Sequence, residues 1–372
     1  MKKKVWMLLL ISLTASCVCV GCKKKEQATT EQKESVEKEV ETETAIANLE
    51  LVTETEGMEE SHEGQSKSYL TGEWVDQEIA KQRPIALMVE NTKMALPQYG
   101  LGKADIIYEC PVEGGISRLM AIYQDYSGME KVGNVRSCRH YYAYFAKEFD
   151  AMYFHAGASS IAYKGVLAAN FIEDVDGITG TDGKYFFRAS GKKAPHNLYT
   201  SSDQIEKAVK EKGFRTVYEE DYQGHYTFAE DGETITLENG KDATKVSMYY
   251  QNAKPWFEYN KKDGLYYRFE FGSSQKDGLT DKQLAVKNII VQYCNSKVVD
   301  NVGRLDITHV GSGKGLYITN GKCIDITWKR DSDYDRTHYY NESGQEIVLN
   351  QGKTWVEIAQ NNYAEQNIIS GE

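Results

Sequence analysis

Apolar positions between residues 75 and 230 form short runs that alternate with helical repeats. Continuous apolar runs predict buried strands over 85–89, 104–110, 118–124 and 151–155. Apolar side chains three and four positions apart predict a helix over 139–148, and serines able to cap a first turn predict helices over 159–170 and 202–212. Gly213 should end the last helix, because glycine readily adopts the left-handed conformation found there. This part of the chain is therefore expected to mix helices and strands.

The pattern changes after Gly224, where β-branched and aromatic residues begin to alternate with polar ones. The alternation predicts strands over 245–250, 256–260, 265–271, 288–294, 306–309, 315–319, 322–329, 337–341 and 345–349. Lys262-Asp263-Gly264, Asn320-Gly321 and Ser343-Gly344 are turn sequences typical of hairpins. We therefore predict an α+β fold, with a mixed α/β domain over 71–235 and a mostly-β domain over 236–372.

The first 22 residues have the layout of a bacterial lipoprotein signal. Three lysines precede an apolar run over 5–20, which ends at Gly21-Cys22. Cleavage before Cys22 would leave its thiol to carry diacylglycerol, with palmitate among the acyl chains, and would anchor the chain outside the cytoplasm on the cell membrane. Cys17 is a second candidate for the cut, and an uncleaved anchor or a plain secretion signal is the alternative.

The next segment, residues 23–70, is predicted to be a disordered acidic tether. Between 23 and 68 it has no aromatic residue and carries a net charge of −7, so it cannot bury enough apolar surface to fold. The whole chain has a net charge of −11, which argues against a nucleic-acid partner. The expected partners are the membrane, through the lipid, and an envelope glycan, peptide or protein.

Four cysteines remain beyond the signal, and none belongs to a CxxC pair or has zinc-ligand spacing. Neither a metal nor another cofactor is predicted from them, and buried free thiols are expected at Cys110, Cys138, Cys294 and Cys323. The acidic stretch 331–342 has the spacing of a calcium loop, but Arg336 replaces its required glycine. A solvated loop is the expected structure, and a weak calcium site is the alternative.

A candidate site begins at residues 136–140, where two arginines stand with a serine, a cysteine and a histidine. Arg136, Ser137 and Arg139 lie just before a predicted helix, so Ser137 could cap it and the guanidinium groups could bind a carboxylate or phosphate. The alternative is that the arginines form internal salt bridges. A catalytic pair of Cys138 and His140 is disfavoured, since residues two apart on a helix point to different faces.

Other candidates lie farther along the chain. Arg188, His196, Asn197 and Tyr199 belong to a predicted loop, and His155 ends a predicted buried strand, where α/β proteins tend to place ligands. Each histidine could instead be structural. Glu109 and Glu113 could form an acid/base pair, or they could be partners of the arginines.

Several segments together resemble the YerB-like family of bacterial lipoproteins, found mainly on Gram-positive bacteria. They are "RPIALMVEN", "ADIIYECPVEGGISRLMAIYQ", "GNVRSCRHYY", "MYFHAGAS" and "RASGKKAPHNLYTS", followed by the closing segment "GKCIDITWKRDSDYDRTHYYNESGQEIVLNQGKTWVEI". The resemblance spans about residues 75–362 and implies an architecture and a location, because the family's function is unknown.

The family's Val-Arg-Ser-x-Arg motif falls on residues 135–139, while Cys138 and His140 stand where the family has other residues. The motif positions that the resemblance implies are Glu109, Glu113, Gly114, Gly115, Arg118, Arg136, Arg139, His155, Arg188, Pro195, His196, Asn197 and Tyr199. This mixture of side chains suits an anionic or sugar-like ligand.

The sequence thus supports three hypotheses for a membrane-anchored lipoprotein, and whether it is an enzyme stays open. The first is binding of an anionic or sugar-like envelope ligand by the arginines, His196 and Asn197. The second is a hydrolase or lyase acting on envelope polysaccharide or peptide, with His155 or His196 as the base and Glu109 or Glu113 as the acid. The third is a protein-interaction scaffold.

Overall fold

The strands of both halves meet in one mixed sheet of eleven strands, which we call the central sheet. The structure is a computed structural model that describes residues 61–371. From one edge to the other the strands are Lys241–Asp242, Lys322–Arg330, Gly311–Thr319, Asn288–Cys294, Thr354–Gln360, Ile106–Pro111, Ser117–Tyr123, Ile85–Asn91, Met152–His155 and Asp174–Asp176, with His338–Tyr340 also paired to Lys322–Arg330.

Two groups of three parallel strands in this sheet point the same way. Thr354–Gln360 lies parallel between Asn288–Cys294 and Ile106–Pro111, and so joins the two halves of the chain. Ile85–Asn91, Met152–His155 and Asp174–Asp176 form the other parallel group. Ser117–Tyr123 is antiparallel to both groups and lies between them, so the six carboxyl ends lie at one end of the sheet. Ligands of α/β proteins bind at such ends.

Both faces of the central sheet are covered by apolar side chains. Alternate residues of Ile85–Asn91 point to opposite faces, as the strand period of two requires. One face packs against helix Ser202–Lys212 and a second sheet, and the other packs against helix His140–Lys147. The apolar residues of the two helices therefore supply the outer layers of two cores.

The helix predicted over 202–212 is confirmed as Ser202–Lys212. Ser201 Oγ accepts from the Gln204 amide at 3.4 Å, and Gly213 ends the helix with a φ of +68°. The helix predicted over 139–148 is His140–Lys147. The one predicted over 159–170 is a short helix, Ser160–Ala162, capped by Ser159 and continued by a π-helical turn, Tyr163–Leu167. The other helical segments are Gln77–Lys81 and the 3₁₀ turns Lys93–Ala95, Leu101–Lys103, Glu113–Gly115, Asp182–Tyr185 and Asn361–Gln366.

A second sheet and several short pairs complete the β structure. The second sheet runs Ser273–Ser274, Leu265–Glu270, Trp256–Asn260, Lys245–Ser247 and Ile368–Ser370, with Ala285–Val286 also paired to Leu265–Glu270. The smaller groups are Gln65–Lys67 with Trp74–Asp76, Val132–Gly133 with Leu198–Thr200 and Phe187–Arg188, Thr227–Phe228 with Val348–Leu349, and Ser296–Val298 with Leu305–Ile307.

The α+β fold class is confirmed, with helices in the first half and mostly strands in the second. The domain division at 235 stays a prediction, although the central sheet contains strands from both sides of it. Residues 61–70, assigned above to the tether, belong to the folded part, since Gln65–Lys67 pairs with Trp74–Asp76 and Leu70 is buried. The signal, its Cys22 and tether residues 23–60 lie outside the described residues. None of the helices in 61–371 is long and apolar enough to span a bilayer.

Candidate functional site

A cleft of about 420 Å³, which we call the arginine cleft, lies beyond the carboxyl ends of Met152–His155 and Asp174–Asp176. The segment around Arg136 forms another wall, held to the sheet by a 3.0 Å hydrogen bond from its amide to the Met88 carbonyl. The lining residues are Val135, Arg136, Ser137, Ala156, Gly157, Ala158, Tyr163, Ile178, Thr179, Arg188, Pro195 and Leu198.

Asp176 holds the two loops that form the floor of the cleft. Its carboxylate accepts from the Gly157 amide at 2.6 Å, the Ile178 amide at 3.0 Å, and the hydroxyls of Tyr163 and Thr179 at 2.6 Å each. Burial raises the pKa of Asp176, but the hydrogen bonds from Thr179 and Tyr163 outweigh it and lower that pKa overall. Asp176 is therefore a charged anchor for both loops.

His155 lies beneath the cleft rather than in it. The ring is fully buried, with Nε2 3.1 Å from Asp174 Oδ2 and Nδ1 2.9 Å from the Gly157 carbonyl. It therefore positions the loop that lines the cleft, and its ring nitrogens are already engaged.

Arg136 and Arg188 present guanidinium groups to the cleft. Arg136 Nε lies 3.7 Å from Glu90 Oε2, a long ion pair, and Nη1 donates to the Pro195 carbonyl at 3.5 Å, whereas Nη2 has no hydrogen-bond partner in the part of the chain that the structure describes. Arg188 donates to Asn197 Oδ1 at 2.8 Å and forms no ion pair within residues 61–371. Both arginines therefore have unused hydrogen-bonding capacity toward an anion.

A third guanidinium adds positive charge from behind this wall. Arg118 is buried and donates to the Ser137 carbonyl. Burial, followed by the charges of Arg139 and Arg136, lowers the pKa of Arg118 to about 10. The arginine cleft is thus locally cationic in a chain whose net charge is −11.

Glu90 and His196 form an acid–histidine pair at the margin of the cleft. His196 Nδ1 lies 2.7 Å from Glu90 Oε1, which also accepts from the Thr92 hydroxyl at 2.9 Å. The Glu90 side chain is 2% exposed and that of His196 is 18% exposed. Glu90 was not predicted from the sequence. It directly follows the apolar run 85–89, and this position at the carboxyl end of a predicted strand could have indicated a site residue.

Three of the proposed site residues lie elsewhere. Arg139 pairs with Glu113, with 2.9 Å between Arg139 Nε and Glu113 Oε2. Burial raises the pKa of Glu113, but Arg139 overcomes this and lowers it to about 2. Glu109 is fully buried and bound to Arg268. Neither glutamate lines the arginine cleft, and both are partners of arginines.

Tyr199 supports the cleft from within the core. It is buried, and its hydroxyl accepts from Asn134 Nδ2 at 2.9 Å. Asn134 also donates to the His196 carbonyl. Tyr199 thereby helps to fix the backbone that carries His196.

Ser137 is not the helix cap that the sequence suggested. The helix begins at His140 with Arg139 at the capping position, and Ser137 Oγ donates instead to the Ala156 carbonyl at 2.9 Å. Cys138, the next residue, forms an isolated β-bridge with Ala158 in the loop after Met152–His155, so the chain between Ser137 and the helix is extended. Ser137 therefore ties two walls of the cleft together.

The cysteines are buried free thiols, as expected for Cys110, Cys138, Cys294 and Cys323. Burial raises the pKa of Cys138 to about 12, so a reactive thiolate is disfavoured there.

Within residues 61–371 no group of three His, Cys, Asp or Glu side chains has metal-binding geometry. In the acidic stretch 331–342, which has the spacing of a calcium loop, the Asp333 carboxylate is paired with a histidine, with 2.7 Å between Asp333 Oδ1 and His309 Nε2.

Comparison with known proteins identifies the family. Residues 70–215 match the N-terminal domain, and residues 244–356 the C-terminal domain, of a family described as protein of unknown function (DUF3048). The chain belongs to the DUF3048 family.

A relative from Bacillus subtilis (strain 168), named "Putative lipoprotein YerB", is 34% identical over 298 residues, which cover 78% of this chain and 86% of the relative. The crystal structure of YerB protein from Bacillus subtilis matches with a TM-score of 0.71 and 32% identity, over 82% of this chain and 100% of that one. The predicted resemblance to the YerB-like family is confirmed. The arginine cleft lies wholly within the N-terminal DUF3048 domain.

Proposed function

We propose that this DUF3048 protein is a membrane-anchored, extracytoplasmic lipoprotein whose arginine cleft binds an anionic envelope ligand. The lipoprotein part rests on the signal-like residues 1–22 with Cys22, and on the lipoprotein name of the YerB relative. The binding part rests on one observation: Arg136 and Arg188 line a single cleft, where Arg188 forms no ion pair within residues 61–371 and Arg136 forms only a long one, at 3.7 Å from Glu90.

The chemistry of the cleft favours a carboxylate or a phosphate. Guanidinium groups donate paired hydrogen bonds that match the oxygens of either group, and these bonds are strongest where water is partly excluded. The Arg136 side chain is 23% exposed, so an anion that reaches it is partly desolvated. The hydroxyl oxygens of Tyr163 and Thr179, whose protons are donated to Asp176, can still accept hydrogen bonds from the polar remainder of the ligand.

The size of the cleft suits a small fragment of a polymer. A volume of about 420 Å³ lies within the range of small-molecule sites. Outside a bacterial membrane, compounds of this size with carboxylate or phosphate groups include peptidoglycan fragments, teichoic-acid pieces and acidic sugars. These are the ligands we propose.

A second candidate function, hydrolysis or elimination at the same cleft, is favoured by the Glu90–His196 pair. A buried carboxylate that holds Nδ1 of a histidine orients the ring and leaves Nε2 for proton transfer. His196 Nε2 has no partner within the described residues and is open to solvent. Arg136 beside this pair could stabilise negative charge that develops on a substrate.

Titration calorimetry on a soluble fragment that begins at residue 61 tests binding, since these residues form one compact unit. The panel holds muropeptides, glycerol phosphate oligomers and uronic acid oligosaccharides. Arg136→Ala and Arg188→Ala should each weaken binding about tenfold or more, because each removes a charge-assisted contact. Lys241→Ala, which removes an equal charge at a side chain that is 78% exposed, is the matched control.

The His196→Gln and Glu90→Gln variants distinguish binding alone from catalysis. If the protein only binds, the bound panel member stays intact over long incubation with wild type. If it is an enzyme, mass spectrometry shows turnover that both variants lose while binding persists. Equal loss of affinity in Lys241→Ala, or a panel without any binder, would contradict the anion site and favour a protein-interaction role.

A further inference from the structure

A second cleft, which we call the tyrosine cleft, lies at the same end of the central sheet. Its walls are the segments that follow three neighbouring parallel strands, namely Asn288–Cys294, Thr354–Gln360 and Ile106–Pro111, together with residues 249–251, which follow Lys245–Ser247 of the second sheet. The volume is about 300 Å³. The carboxyl ends of adjacent parallel strands are where such sheets place ligands, so the position itself indicates a binding site.

The chemistry of this cleft differs from that of the arginine cleft. Tyr249 and Tyr363 lie side by side, with ring centres 4.8 Å apart and planes inclined by 42°. The amides of Gln251, Gln360 and Asn362 join them, and the charged side chain among the lining residues is that of Lys297. The tyrosine cleft is therefore aromatic and neutral-polar, and its lining within residues 61–371 has no carboxylate.

Much of the hydrogen-bonding capacity of the lining is unused. Gln360 Nε2 donates to Ser296 Oγ at 2.7 Å, which fixes one wall. Within residues 61–371, the exposed amides of Gln251 and Asn362 have no partner, and the half-buried rings of Tyr249 and Tyr363 keep their hydroxyls free. Side chains that combine apolar faces with free donors and acceptors suit a ligand of the same mixed character.

A glycine turn and a hairpin form two of the walls. Gly114 and Gly115 form a turn with φ of +74° and +70°, and the side chain and amide of Asn252 donate to their carbonyls at 3.2 Å each. A Cβ on Gly115 would approach Gln251 Oε1 to 2.3 Å, so glycine leaves room for that amide. Opposite, the hairpin of Ser296–Val298 with Leu305–Ile307 forms the other wall. The two glycines of the Glu113-Gly114-Gly115 motif, which do not line the arginine cleft, therefore line the tyrosine cleft.

We infer that the tyrosine cleft binds a neutral, hydroxyl-rich oligosaccharide. A sugar ring has an apolar face that stacks on tyrosine and hydroxyls that pair with amides. An anionic ligand would find a single lysine here, and a cationic one would find no carboxylate among the described lining side chains. The inference is independent of the proposed anion site, because the two clefts share no lining residue within 61–371.

Calorimetric titration of the full-length chain in detergent micelles tests this. The probes are neutral oligosaccharides of β-1,4-linked N-acetylglucosamine, β-1,4-linked glucose and α-linked mannose. At least one should bind with a Kd of about 1 mM or tighter. Tyr249→Ala and Tyr363→Ala should each weaken that binding about tenfold, whereas Tyr363→Phe should retain it because stacking persists.

Two control variants distinguish binding at the tyrosine cleft from binding at another surface of the protein. Tyr334→Ala removes a tyrosine that is 76% exposed and lies outside the cleft, so affinity should not change. Arg136→Ala should also leave neutral-sugar binding unchanged, which distinguishes failure here from failure of the anion site. The inference is overturned if no probe binds or if the two tyrosine variants bind as wild type does.

Discussion

At the scale of single residues, the least ordinary group is Arg268, which is fully buried among carboxylates. It bonds to Glu109 and to Glu357, the latter at 3.0 Å, and its guanidinium lies 4.4 Å from the Trp355 ring centre. Glu270, also fully buried, adds a third carboxylate nearby. One guanidinium cannot neutralise three buried carboxylates, so protons must compensate for part of the charge.

Glu270→Gln should therefore stabilise the protein at neutral pH. Burial, only partly offset by Arg268, raises the pKa of Glu270 from 4.5 to about 7. Below pH 4.5 both folded and unfolded chains hold this proton, but between pH 4.5 and about 7 only the folded chain does. The wild type thus loses stability as pH rises through this window, by about 3 kcal/mol. Chemical denaturation of both proteins between pH 4.5 and 8 measures the difference.

The free-energy gain of the glutamine variant should grow with pH and level off above about 7. Glu258→Gln, a substitution of the same kind on a half-exposed side chain, should give a gain near zero at every pH. A gain at Glu270 that does not depend on pH would contradict the assigned protonation.

At the scale of elements, the arginine cleft depends on two loops that follow parallel strands and share the Asp176 carboxylate. Asp176→Asn removes the charge and replaces one acceptor oxygen by a donor, so the hydroxyls of Tyr163 and Thr179 would have to accept instead of donate, and the charge-assisted hydrogen bonds become weaker neutral ones. The free energy of unfolding should fall by about 1–3 kcal/mol, measured by denaturant titration. Asp174→Asn, which loses only the contact to His155, should cost less; an equal cost would contradict the anchoring role.

Elements defined by local pattern were predictable, and those defined by distant pairing were not. Ser202–Lys212 and Asn288–Cys294 match their predicted bounds, because cap, glycine stop and apolar run are local signals. The strand Thr354–Gln360 was missed: both its neighbours are parallel strands distant in sequence, so no hairpin turn signals it.

The candidate site shows the same limit. Arg136, Ser137 and Arg188 were identified by residue type and do share a cleft. Glu90 was not assigned as the partner of His196, because 106 residues separate them and only the folded sheet brings them together. Tyr249 and Tyr363 of the tyrosine cleft are likewise joined by tertiary structure alone.

At the scale of the whole molecule, the two DUF3048 domains share a sheet, and this has a consequence for their independence. Ile106–Pro111, fully buried, pairs along one side with Thr354–Gln360, the strand that closes the second half. A fragment of residues 61–235 would expose the edge of Ile106–Pro111 and apolar side chains on both of its faces to water, and would remove Arg268, the partner of Glu109.

We therefore expect fragment 61–235 alone to aggregate or to lack a cooperative thermal transition. Co-expression with fragment 236–372 should restore a soluble complex, because the missing strand and Arg268 are then supplied in trans. Calorimetry and size-exclusion chromatography on the separate and combined fragments measure this, with 61–372 as the intact control. A sharp, reversible transition of 61–235 alone would show instead that the first half is an autonomous domain, and the shared sheet would then be an interface between two independent folding units.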